Sequence, residues 1–284
     1  MKPITNIPIA KLRAFEGHPY KVLDNDEMNA LIESIQENGI LTPLLVRPLE
    51  GTTDEYEVIS GHRRLHAARK AGLETVPAFI HAIDRDAASI LLVDSNLHRE
   101  HILPSEKAFA YKLKRDALSH QGSASPQVGE KLLTVERVGL ESGDSKNQVL
   151  RYIRLTHLSP KLLDLVDQGR IAFSVGVELS YLDMSAQEYL AELIDRDEAT
   201  PSYSQAVRMH RENSQGFEPI SRERIAEIMA EEKPNQRELI RLRRDEFSKY
   251  FPSEYSDRQI RDDIIAGLDL LRRQRIRERN RDAR

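Results

Sequence analysis

The sequence predicts an α/β domain at its N-terminal end, then an all-helical domain carrying a helix-turn-helix, then a small, mostly helical C-terminal region suited to dimerisation. Three observations carry this. Short apolar runs bounded by turn residues alternate with helical stripes over the first hundred positions. Strand patterns nearly vanish after Pro104. One strand-like run and a long helical stripe close the chain. The expected boundaries are 1–102, 103–200 and 201–284, two to three domains being ordinary for 284 residues.

In the first domain, Asp26 to Asn38 reads as a helix, with Asp26 as its cap, an apolar stripe of Leu31, Ile32 and Ile35, and Gly39 as its stop. Leu44 to Arg47 and Tyr56 to Ile59 read as strands around the turn 51–54. Arg63 to Ala71 is helical with Gly72 closing it, Val76 to His81 is a third strand, and Asp84 to His98 is helical. Beyond Pro104, Ser105 to Ser119 reads as a helix capped by Ser105, followed by a polar loop over 120–126.

Thr134 to Gly143 and Asp144 to Leu155 have the spacing of a helix-turn-helix. Gly143 makes the turn, Asp144 or Ser145 caps the second helix, and Val138, Val149, Ile153 and Leu155 close the corner. Gly139 sits where the helices must approach closely, and Ser142 where an apolar residue would be more comfortable. The second helix offers Ser145, Lys146, Asn147, Gln148, Arg151 and Arg154 to DNA. Asn and Gln match adenine, Arg matches guanine, and Lys suits phosphate. An ordinary helical hairpin with a solvated face is the other reading.

Val58 to Arg64 is the most telling stretch. A strand ends, Gly61 turns the chain, and Arg63 and Arg64 open a helix. Helix starts carry partial positive charge and unsatisfied N–H groups, so two cations there conflict unless an anion is bound. A phosphate removes the conflict. Arginines paired with nearby carboxylates would remove it too. Asn96 and Arg99, three apart at the end of the helix from Asp84, add an amide and a cation for a polyphosphate.

The order of Gly61-His62-Arg63-Arg64, then Ser95-Asn96-Leu97-His98-Arg99-Glu100, then the helix-turn-helix resembles the ParB family of DNA-partition proteins over roughly residues 4 to 185. Asn38 to Arg47 is similar to that family's Gly-Ile-x-x-Pro strand entry. The resemblance implies an N-terminal domain that binds CTP with Mg2+. It also implies recognition of a palindromic centromere-like site in double-stranded DNA, closure of a homodimer into a sliding clamp, and a ParA-type ATPase as partner. By position, Gly61, Arg63 and Arg64 would contact the triphosphate, Asn96 and Arg99 would complete the pocket, and Asn96 would be the weak metal ligand. Thr42 falls near the base, where the family often has Gln. His62 and Ser95 each stand where the family has Glu. A serine is a poor base and a weak ligand, so CTP is expected to be bound but hydrolysed slowly. The rival readings are a helix-turn-helix regulator whose α/β domain takes no nucleotide, and an enzyme on a sulfiredoxin-like scaffold.

At the C-terminal end, Glu238 to Leu242 is a lone strand candidate that a second chain would pair. Asp257 to Arg279 reads as a long helix with a stripe of Ile260, Ile264, Leu268 and Leu271. Its arginine-rich tail suits either a solvated helix end or phosphate contact.

The chain has 46 acidic and 42 basic residues, for a net charge of −4, so DNA binding must come from local basic faces. The absence of cysteine excludes disulfides, thiolate metal sites and thiol nucleophiles. No pair among the nine histidines has convincing ligand spacing with a third partner. Residues 1–6 lack the core of a signal peptide, and no run approaches about 18 apolar residues, so no membrane contact is expected. A cytoplasmic, nucleoid- or plasmid-associated place follows as the expectation.

Overall fold

The structure, a computed structural model, describes residues 3–97, 99, 101–122, 128–216, 218–231, 250–252 and 255–282. Two compact units divide the chain, Met1–Glu231 and Glu232–Arg284.

A mixed sheet of five strands organises the first hundred residues. The strands are β1 (Ile4–Pro8), β2 (Leu12–Ala14), β3 (Leu44–Pro48), β4 (Tyr56–Ser60) and β5 (Thr75–Ile80), in the order β1-β5-β3-β4-β2. β1 runs antiparallel to β5, β5 parallel to β3, β3 antiparallel to β4, and β4 parallel to β2. The three inner strands are those the alternation predicts. The edge strands β1 and β2 were not expected. Only Ile7 of β1 and Leu12 of β2 are buried, so neither carries a period-two signal.

Three helices dress the sheet: α1 (Asp26–Asn38), α2 (His62–Lys70) and α3 (Arg85–Asp94). Asn25, not Asp26, caps α1, its side chain accepting from the Met28 N–H at 3.1 Å. Asp26 instead lies in the first turn, where a carboxylate favours the helix dipole. α3 stops four residues short of the expected His98, and Ser95 to Leu97 form a turn. The sheet core gathers Ile7, Leu12, Leu44, Val46, Val58 and Val76 with Leu65 and Ala68 of α2. Arg47 and Glu57 pair across β3 and β4 at 2.7 Å, both almost wholly buried.

The remainder of this unit is helical: α4 (Pro104–Gly122), α5 (Val128–Ser142), α6 (Lys146–Leu155), α7 (Pro160–Asp167), α8 (Phe173–Leu179), α9 (Met184–Asp197), α10 (Tyr203–Gln215) and α11 (Arg222–Ala230). α4 runs through His120 and Gln121, where a loop was expected; 123–127 lie outside the described residues. Ser105 does not cap α4, because Pro104 already begins it. Its hydroxyl and N–H donate instead to Asp167 at 2.5 and 2.9 Å. Ala206 and Met209 of α10 and Ile225 and Ile228 of α11 share one apolar core with α7, α8 and α9. No helix among the described residues is long and apolar enough to cross a membrane.

In the second unit, α12 (Asp257–Asp282) exposes Ile265, Leu268, Leu270 and Leu271, with Ile260 and Ile264 half-buried. The strand expected at Glu238 to Leu242 lies outside the described residues.

Candidate functional site

Gly61 ends β4 at φ 107°, the left-handed region that favours glycine, and caps α2 without any side-chain bond. No acidic residue lies in the first turn of α2 and no side chain bonds its leading N–H groups, which stand beside Arg63 and Arg64. A Cβ at Gly61 would meet Leu44 at 3.0 Å and the Arg64 guanidinium at 3.2 Å, so the glycine also makes room for that arginine.

A cavity of about 560 Å³ opens here, lined by Gly61, His62, Arg63 and Arg64 from the start of α2 and by Ser95, Asn96 and Arg99 from beyond α3. The two sequence segments expected to converge do so. His18, Tyr20 and Lys21, from the irregular stretch between β2 and α1, complete the wall. No local pattern marks them in the sequence, since tertiary contacts alone place that stretch. Thr42 is not among the lining residues. Its side chain is exposed while its carbonyl, with that of Pro43 at 2.9 Å, accepts from Arg64.

Arg63 pairs with Glu27 at 3.0 Å, and Arg99 lies over the Tyr20 ring at 5.5 Å. The Arg63–Glu27 pair is solvent-exposed, with the two side chains at 41% and 72%. Asn96 is buried, and its amide nitrogen donates to the Leu92 carbonyl at 2.8 Å, leaving Oδ1 as the acceptor. The Ser95 hydroxyl donates to the same carbonyl at 3.0 Å. No cluster of three His, Asp or Glu residues able to hold a metal is present among the described residues. The neutral oxygens of Asn96 and Ser95 fit a Mg2+ ion only as minor ligands, with phosphate oxygens and water supplying the rest.

His62 and His18 stack in the wall with ring centroids 3.7 Å apart. His62 Nε2 accepts from the Phe15 N–H at 3.4 Å, and His18 Nδ1 donates to the Tyr20 carbonyl at 2.8 Å. Burial, then the neighbouring His18 and Arg99, push the His62 imidazole down to about 3. Burial also lowers His18. Both rings are therefore neutral at physiological pH. The cavity's positive charge comes from its guanidinium groups, since Lys21 Nζ is paired with Asp167 at 2.9 Å and Asp164 at 3.6 Å.

The second candidate surface is built on α5 and α6. Gly143, at φ 75°, turns the chain between them. Ser145 caps α6, its oxygen accepting from the Gln148 N–H at 3.2 Å, while the Asp144 carboxylate accepts from the Tyr111 hydroxyl at 2.6 Å. Val138, Val149 and Ile153 close the corner as expected. Leu155 does not join them and packs in the core of α7 to α11. Ser142 is satisfied by donating to the Val138 carbonyl at 2.6 Å.

Ser145, Asn147 and Arg151 stand exposed on α6, and Gln148 is half-buried. Lys146 pairs with Glu136 at 2.6 Å. Arg154 departs from the expectation of a free DNA-facing side chain. It donates to the Ser180 hydroxyl and carbonyl at 3.1 and 2.6 Å and lies 3.9 Å over the Tyr181 ring. Its position on α6 faces α8, so packing takes it. Tyr181 in turn stacks on His210 at 3.9 Å.

Residues 1–97 match the family model described as the ParB N-terminal domain. The chain is 36% identical over 169 residues to the chromosome-partitioning protein Spo0J of Thermus thermophilus, covering 59% of this chain and 56% of that protein. It is 31% identical over 174 residues to the stage 0 sporulation protein J of Bacillus subtilis, covering 61% and 56%. The chain thus spans little more than half the length of these relatives. Among solved structures it is similar to C-terminally truncated ParB of Caulobacter crescentus complexed with CTP-gamma-S, at 25% identity and TM-score 0.33, covering 68% of this chain and 99% of that one. The same protein complexed to the centromeric parS site matches at 23% identity and TM-score 0.40, covering 73% and 99%.

Proposed function

We propose that this chain is a site-specific DNA-binding partition protein of the ParB family, a reading supported by the match of residues 1–97 to the ParB N-terminal domain and by the similarity to the Spo0J relatives. It binds a centromere-like site in double-stranded DNA through α5 and α6. It binds CTP, with Mg2+, in the cavity between α2 and the end of α3. Nucleotide and DNA together close a homodimer around the duplex, and a ParA-type ATPase is the motor partner. The apolar stripe of α12 supplies the standing contact between the two copies.

The observation that carries this reading is the cavity itself. Three guanidinium groups, those of Arg63, Arg64 and Arg99, meet the uncapped start of α2 in a space of about 560 Å³. Anions gain there from the helix dipole, the free N–H groups and charge-assisted bonds together. In this arrangement Arg63 and Arg99 grip the phosphate chain. Arg64, held by two backbone carbonyls, orients its edge. Asn96, whose Oδ1 is its open acceptor, would help hold the ion or the nucleotide. The metal supplies charge neutralisation to the phosphates.

The regulator that takes no nucleotide has one observation in its favour: Arg63 and Arg64 already have partners in Glu27 and in the carbonyls of Thr42 and Pro43. Immunoprecipitation of the protein from its host, followed by sequencing of the bound DNA, separates the readings. A sharp peak with broad shoulders is expected from loading at one site and spreading. Narrow peaks at scattered promoters would overturn the partition reading.

A further inference from the structure

One side chain joins the two candidate surfaces, and neither site uses it. Lys114 of α4 is fully buried, and its ammonium touches two carboxylates, Asp94 and Glu141, each at 2.5 Å. Asp94 is the last residue of α3, one step before Ser95 and Asn96 of the cavity wall. Glu141 lies in the last turn of α5, two residues before the turn at Gly143.

The same face of α4 repeats the motif. Lys107, Tyr111 and Lys114 are spaced by four and three residues, which places them in one row. Lys107 Nζ and the Tyr111 hydroxyl both hold Asp144, at 2.7 and 2.6 Å. One helix face therefore fixes Glu141 and Asp144 on either side of the turn that positions α6, and its last member also grips the end of α3.

The chemistry makes Lys114 a coupling element and not merely a strut. A buried ammonium cannot surrender its charge partners cheaply. Here it shares one positive charge between two carboxylates that are each partly exposed and can shift, with Asp94 at 47% and Glu141 at 38%. Drawing Asp94 away throws the whole load on Glu141, while drawing it closer releases Glu141 to Arg137, its other partner at 3.0 Å. The Glu141 carboxyl is held below the ordinary carboxylate range by Lys114 first and by Arg137 as well.

We propose that Lys114 is the positioning residue through which occupancy of the cavity beside Asn96 alters the turn between α5 and α6. Anion capture by Arg99 shifts the Ser95–Asn96 turn, Asp94 moves with it, and the bridge hands the change to Glu141. The proposal rests on the nucleotide and DNA reading above, and it adds to that reading the particular side chain that links the sites.

The test pairs calorimetry with amide hydrogen exchange on the full chain, using CTP with Mg2+ as the probe. In the unmodified protein, saturating CTP should change exchange over residues 141–150 by about fivefold or more. Asp94→Asn and Glu141→Gln each remove one carboxylate charge and leave Lys114 one partner. Both should keep CTP affinity within about threefold, because neither residue lines the cavity, yet lose the exchange change. Asp94→Glu should restore it, which a purely structural role for Asp94 would not require. Calorimetric binding of CTP with no exchange change over 141–150 overturns the proposal, as does a change that persists in both charge-neutral variants. Absence of CTP binding to the unmodified chain is a different result: it brings down the nucleotide reading itself, and the link with it.

Discussion

Replacing Gly139 by alanine sets two effects of opposite sign against each other. In an exposed helix interior the change gains about 1 kcal/mol from helix propensity. At this position, however, a Cβ would stand 2.6 Å from the Asp144 carbonyl oxygen, a backbone atom, about 0.8 Å inside ordinary contact at 3.4 Å. Backbone cannot rotate away, so α5 and the turn must part. Parting stretches the bond from the Asp144 N–H to the Gly139 carbonyl, now 3.0 Å, and disturbs the hold of Tyr111 and Lys107 on Asp144. Overpacking costs about 1–3 kcal/mol and a weakened bond about 1 kcal/mol. After the propensity gain is subtracted, Gly139→Ala should destabilise the protein by about 1–3 kcal/mol. Urea unfolding measures this, with Leu140→Ala as the control: the next residue is 85% exposed and should stay within about 0.5 kcal/mol. The variant should also bind duplex DNA less tightly, because the turn aims α6. A Gly139→Ala protein as stable as the parent, with unchanged DNA affinity, would refute the close approach.

Three further outcomes follow. His62 is neutral when folded, with its value near 3 against an ordinary 6.5, so the unfolded chain takes up more protons as pH falls below 6.5. Stability is therefore full above pH 6.5 and is lost as pH drops, by about 2 kcal/mol at pH 5 from this group; urea titrations should show that slope shrink in His62→Gln, and an unchanged slope contradicts it. Arg151→Ala should lower the salt dependence of non-specific duplex binding by about one in log–log slope. Arg154→Ala should instead cost about 1–3 kcal/mol of stability through its bonds to Ser180, and a reversed pattern in the two variants would undo the assignment. Phosphate release from CTP should stay near background even with specific DNA and rise in Ser95→Glu, since a serine neither holds Mg2+ firmly nor activates water; brisk turnover by the unmodified chain contradicts this.

Much of the α/β unit was legible because its inner elements are locally encoded. β3, β4 and β5 are short apolar runs between turn residues, and α2 announces itself through Gly61, a position that favours a left-handed backbone. The edge strands were hidden by their exposure: β1 buries only Ile7, and its identity depends on pairing with β5 about seventy residues away. The cavity divides the same way. Gly61, Arg63, Arg64, Asn96 and Arg99 were readable as a conflict of charge at a helix start that an anion would relieve. His18, Tyr20 and Lys21 were not, since nothing in their own segment has a period or a cap. The packing of Arg154 against Ser180 and the hold of the Thr42 carbonyl on Arg64 were hidden for a shared reason. A side chain's direction depends on what packs beside it, and spacing along one element does not report that. The bridge of Asp94, Lys114 and Glu141 was invisible for the same cause, its members lying on three different helices.

Isothermal titration of CTP with Mg2+ into the full chain tests most directly whether the cavity between α2 and the end of α3 holds a nucleotide. Saturable binding at one site per chain is predicted, weakened about tenfold or more by Arg99→Ala through loss of a charge-assisted bond. Flat heats at millimolar CTP, or binding indifferent to Arg99, would contradict the account.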